Sequence, residues 1–159
     1  MESAETLTAY HEAGHAVMSI LMGGHVNRVS IDPPNDNGPN RYGETITTWP
    51  RMSDSQRFAY EICVSLAGPI AESLYAGCDR PIETVAEWQM DWDTAIQIAS
   101  QVAVGKSAVN KLLNECQVKI RHLFDQVNSW AAVAAIADEL LAHETIEHSQ
   151  VVDAVAVWL

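Results

Sequence analysis

Two histidines and a glutamate stand in the run His11-Glu12-Ala13-Gly14-His15, and their types and spacing are those of a zinc hydrolase site. On a helix, histidines four residues apart stack on one face one turn apart, so both imidazoles reach a single ion. Glu12 then lies beside that ion, where its carboxylate can take a proton from water at the metal's open position. A catalytic zinc usually has three protein ligands and leaves the fourth place to water, so the chain must supply one more. The extended motif with a third histidine on the same helix is excluded, because Met18 and Leu21 stand where its glycine and histidine belong. Downstream, Glu87 and Asp91 lie one helical turn apart, and either would complete a set of two nitrogens and one oxygen. His25, His122, His143 and His148 are the remaining candidates.

The elements that must position these residues can be read from periodicity and punctuation. Ser3 to Met22 predicts one amphipathic helix, with Leu7, Tyr10, Gly14, Val17, Met18 and Leu21 at three- and four-residue steps and Gly23-Gly24 ending it. Gly14 costs such a helix about 1 kcal/mol relative to alanine, which points to another backbone or a substrate coming close at that position. Arg28 to Asp32 and Tyr42 to Trp49 predict two short strands joined by the loop chemistry of Pro33 to Asn40. Ser53 and Gln56 form a capping-box pattern ahead of Phe58, Ile62, Leu66, Ile70 and Leu74, and Gly68-Pro69 predicts a break in that helix between Leu66 and Pro69. Further helices are expected at Asp91 to Val104, Ser107 to Phe124, Ser129 to His143 and His148 to Trp158. Residues 1–159 thus read as one domain, mainly α with a small antiparallel β-sheet. Gly105-Lys106-Ser107 is not the end of a phosphate-binding loop, because Ser100 occupies the place of the required glycine and no strand precedes it.

Composition removes several classes of function. The net charge is −12 with only nine Lys and Arg, which argues against a nucleic-acid partner and against an anionic membrane surface. Cys63, Cys78 and Cys116 are odd in number and show no C-x-x-C spacing, so neither a disulfide framework nor a cysteine zinc site is indicated. The longest apolar run, Trp130 to Ala137, is far short of the roughly 20 residues of a spanning helix, and a cytoplasmic protein is expected.

The segment Ala9-Tyr10-His11-Glu12-Ala13-Gly14-His15-Ala16 resembles the zinc helix of the FtsH protease domain, the peptidase of the membrane-anchored AAA+ metalloproteases. The likeness continues through Arg28 to Pro33, Leu66 to Leu74 with Gly77, Asp91 to Ala99 and Leu140 to Ile146. In that family the third ligand is the aspartate opening the segment that matches Asp91 to Ala99. The resemblance therefore implies His11, His15 and Asp91 around one Zn2+ per chain, with Glu12 as catalytic base and Glu87 as the fallback ligand. Pro69 departs from the family pattern, which carries a helix-compatible residue there. No ATPase module or membrane anchor is legible in these residues, so the expectation is a stand-alone peptidase domain.

The function expected from this is a zinc-dependent endopeptidase acting on flexible or unfolded polypeptides. An extended peptide would add to a sheet edge near Tyr42 to Trp49. The rival readings are a non-catalytic zinc-binding adaptor, which would have no need of Glu12, and a regulatory domain that depends on a partner. A separate ATPase and self-association are the partners that remain open beyond the polypeptide substrate.

Overall fold

The computed structural model describes residues 2–32 and 43–159. The predicted loop Pro33 to Asn40 and Tyr42, the first residue of the second predicted strand, lie outside the described residues. In chain order the elements are α1 (Ala4–Leu21), β1 (His25–Ser30), β2 (Glu44–Thr48), α2 (Asp54–Ala76), the 3-10 turns Ile82–Thr84 and Ala86–Trp88, α3 (Gln89–Val102), α4 (Lys106–Phe124), α5 (Val127–His143), β3 (Thr145–Glu147) and α6 (His148–Val155). The chain is therefore mainly helical with one small antiparallel sheet, in the order β2-β1-β3.

Helix α1 is the central element. Ser3 caps it by accepting a hydrogen bond from the Thr6 amide, and from Thr8 to Ser19 every residue except Tyr10 is buried. α2 and α5 pack against it, and so do β1 and β2 of the sheet. The core contributed by these elements and α4 includes Met18, Ile62, Leu66, Ile70, Leu113, Ile120, Ile136, Leu140 and Ile146. Gly14 is where α1 and α2 touch. A Cβ there would fall 2.6 Å from the Ala67 carbonyl oxygen and 2.5 Å from Ala71 Cβ, so the close neighbour expected from the sequence is the backbone of α2.

The predicted break in the second helix is not present: α2 runs unbroken from Asp54 to Ala76 with Pro69 inside it. Proline deprives a helix of one hydrogen bond and crowds the preceding turn, at about 3 kcal/mol or more. Here Leu66, Ala67, Ile70 and Ala71 are all fully buried around it, and Leu66 and Ile70 alone recover about 1.5–3 kcal/mol each. Packing against α1 outweighs the local defect. Of the capping box only half forms: Ser53 accepts from the Gln56 amide, whereas the Gln56 side chain donates to the Tyr60 hydroxyl.

Strand β1 begins earlier than predicted, at His25 rather than Arg28, and the cause is an irregularity of pairing between Val26 and Arg28. A bulge resets the two-residue alternation, so Val26 and Val29 both face the core although three positions apart. The third strand was not anticipated. Thr145–Glu147 is three residues long and exists by pairing with β1, Val29 opposite Ile146. The last helix ends at Val155, short of the expected Trp158, and Cys63, Cys78 and Cys116 are free thiols. Among the described residues no helix is long and apolar enough to cross a membrane.

Candidate metal centre

The two histidines leave α1 on one face, their rings 4.8 Å apart between centroids and 77° to one another. Each is held from behind by α2. His11 donates its Nδ1–H to Glu72 Oε2 at 2.9 Å, and His15 donates its Nδ1–H to the Val64 carbonyl at 2.6 Å. A carboxylate and a carbonyl only accept, so both Nδ1 atoms carry hydrogen and both Nε2 atoms are directed forward. They converge on one atom. Asp91 Oδ2, in the first turn of α3, is 2.7 Å from His11 Nε2 and 3.3 Å from His15 Nε2. Gly68 admits this arrangement, since a Cβ at that position would run into the His15 ring.

Glu12, 4% exposed, sits beside the pair, and its Oε2 accepts a hydrogen bond from the Thr45 hydroxyl on β2 at 2.6 Å. One ligand-type atom from each of His11, Glu12 and His15 lies within 4.8 Å of the others. Both acids are thus close to the imidazoles, but they differ in what they face. Asp91 touches the two Nε2 atoms directly, whereas Glu12 is turned to Thr45, which suits a ligand and a base respectively.

The electrostatics follow from these contacts. Burial by itself lowers the His11 imidazole, but hydrogen bonds to Asp91 and Glu72 reverse this and raise it to about 10. His15 behaves alike: burial lowers it, and Asp91 and Glu12 bring a net rise. Burial raises the Asp91 carboxyl, and the facing histidines override that and hold it well below the usual carboxylate range. In this arrangement the ionised Asp91 carboxylate stabilises protonated imidazoles. A metal ion at that place would have to displace the proton.

The donor set fits zinc. Donors about 2.1 Å from a tetrahedral ion stand about 3.4 Å from one another. The His15–Asp91 pair is already at that spacing with its 3.3 Å, and the 2.7 Å of the His11–Asp91 pair is that of a charge-assisted hydrogen bond, which an ion would open by about 0.7 Å. A ring nitrogen hydrogen-bonded from behind, as both are here, is the usual outer support of a histidine ligand.

Of the candidates named from the sequence, His11, Glu12, His15 and Asp91 therefore meet. Glu87 lines the cleft in front of them beside Met90, but it is exposed and its carboxylate makes no hydrogen bond or ion pair with either histidine. None of the other histidines joins the cluster: His25 and His148 stack on each other at 3.7 Å, and His148 donates to the Val26 carbonyl. His143 lies 3.6 Å from Glu139 of its own helix. Sequence reasoning missed Glu72, Thr45, Trp88 and the Val64 carbonyl. Of these only Glu72 lies in a segment the resemblance had marked, and nothing local distinguishes it from a solvated helix acid.

Compared with known proteins, the chain matches no family model and no curated sequence.

Proposed function

We propose that the chain is a zinc-dependent endopeptidase in which His11, His15 and Asp91 hold one ion and Glu12 is the general base. The observation that supports this most is the convergence of both Nε2 atoms on Asp91 Oδ2 with the Glu12 carboxylate next to them. When bound there, zinc supplies Lewis acidity that polarises a scissile carbonyl and lowers the pKa of water to about 7.

The residues of the chain do the rest. Glu12, oriented by the Thr45 hydroxyl, takes the proton of the attacking water and passes it to the leaving amine. Glu72 and the Val64 carbonyl keep both rings in one tautomer and one orientation, so no side chain has to be ordered when the substrate arrives. Thr45 also ties the base to β2, which among the described residues pairs only with β1 and so presents its other edge. An extended peptide adding to that edge would pass the centre, and its binding would come from backbone hydrogen bonds rather than from side chains. Flexible polypeptides are the substrates this geometry favours.

Zinc analysis and casein cleavage by the wild type and Glu12→Gln test the reading. The wild type should carry about one zinc per chain and cleave casein. Glu12→Gln should retain the zinc and cleave about 10²–10⁴-fold more slowly. A zinc-loaded wild type that cuts neither casein nor a mixed peptide library refutes the peptidase assignment.

A further inference from the structure

Glu72 and Trp88 are neither ligands nor base in the reading above, yet both are 4% exposed and they meet at the centre. A single atom, Glu72 Oε2, accepts from His11 Nδ1–H at 2.9 Å and from Trp88 Nε1–H at 2.8 Å. His11 belongs to α1. Trp88 closes the 3-10 turn Ala86–Trp88 and is the N-cap residue of α3, the helix that carries Asp91 in its first turn. That cap makes no side-chain hydrogen bond to the first amides of α3; its indole is buried and bonded to Glu72, and Asp91, in the first turn, is bonded to His11.

We infer that Trp88, acting through Glu72, is a positioning residue that sets the distance between His11 and Asp91, the first and third ligands of the proposed zinc centre. The inference rests on that zinc reading. One oxygen shared by two donors fixes the donors relative to each other, and from Trp88 to Asp91 there is less than one helical turn of rigid backbone. Displacement of the indole is passed to the Asp91 carboxylate with little loss. Metal sites work only when their ligands are held to within about 0.5 Å, which is the scale of movement at stake. Tryptophan suits the role because it fills the core with a large apolar body and offers one N–H donor and no acceptor. Phenylalanine would fill most of the space and leave Glu72 without that donor.

The experiment compares the full-length wild type, Trp88→Phe and Glu72→Gln by three measurements: zinc affinity in competition with a chromophoric chelator, the visible absorption of the Co2+-substituted protein, and melting of the metal-free protein. Trp88→Phe should bind zinc about ten- to hundredfold more weakly and shift the cobalt bands, because the ligand geometry has changed. Glu72→Gln should do the same, since an amide oxygen replaces the charged acceptor of both donors. If Trp88→Phe does not fold, Trp88→Leu, which also removes the N–H donor and leaves Glu72 and its bond to His11 in place, is measured instead. A purely structural Trp88 would lower only the melting temperature, and wild-type zinc affinity with a wild-type cobalt spectrum in Trp88→Phe overturns the inference. A wild type that binds neither zinc nor Co2+ would instead remove the zinc reading itself.

Discussion

Zinc binding at this centre should expel protons, and the size of the effect can be worked from the contacts. His11 faces Asp91 through Nε2 at 2.7 Å and Glu72 through Nδ1 at 2.9 Å, and against the opposing effect of burial these carboxylates raise its pKa to about 10. The ion needs the Nε2 lone pair, so the proton must leave. The metal-free site then holds more protons than the loaded one, and affinity must rise with pH. At pH 7, three units below about 10, His11 is ready to ligate in about one molecule in a thousand, so the apparent affinity should lie about 10³-fold under its limit and climb about tenfold per pH unit. His15, whose pKa is also raised, steepens the rise. Zinc competition titrations from pH 6 to 9, with proton release followed by calorimetry in buffers of different ionisation enthalpy, measure both quantities. A dissociation constant that is flat over this range, with no proton released at pH 7, would refute the assigned contacts.

Stability of the metal-free protein should move the other way. A group whose pKa is raised from 6.5 to about 10 on folding contributes fully below pH 6.5, and that contribution is lost as the pH rises through 10. The melting temperature of the metal-free chain should therefore fall between pH 7 and 10, and the zinc-loaded chain should not follow it.

Asp91→Ala should lose zinc while Glu87→Ala keeps it, because only Asp91 touches both imidazoles; metal analysis giving the reverse would exchange their roles. Stripping zinc with a chelator should lower the melting temperature, by the equivalent of about 4 kcal/mol if the metal had been present at a thousandfold its dissociation constant, and His11→Ala should show no such response. Gly14→Ala should destabilise the fold in chemical denaturation: overpacking against the Ala67 carbonyl and Ala71 costs about 1–3 kcal/mol, against about 1 kcal/mol gained in helix propensity. The substitution proves neutral only if α1 and α2 can separate without loss. Casein should be cleaved in preference to a compact globular protein, whose local opening costs several kcal/mol, and equal rates on both would contradict an edge-strand mode of binding.

Local signals carried much of the architecture. Ser3 as a cap, the glycines after Met22 and the four-residue recurrence of Phe58, Ile62, Leu66, Ile70 and Leu74 each act within a few residues, and the helices they mark are present. The failures have one origin. Pro69 reads as a breaker and Thr145–Glu147 as a connection because neighbouring residues say so, whereas α1 on the far side of Ala67 and Ala71, and β1 alongside Ile146, decide otherwise.

The pair His11 and His15, with Glu12 between them, was determined by sequence alone, since their juxtaposition needs only the pitch of one helix. The candidate third ligand was different. Spacing leaves Glu87 and Asp91 equal, both at the start of the same helical region, and the tertiary structure turns Asp91 to the imidazoles and Glu87 to the rim of the cleft. Glu72, Trp88 and Thr45 come from three other elements; Glu72 reaches His11 across 61 residues of chain, Thr45 reaches Glu12 across 33, and Trp88 reaches Glu72 across 16. Such contacts leave no periodic trace, because a hydrogen bond depends on where two atoms end up in space, and that is decided only when α2, α3 and the sheet have closed around α1.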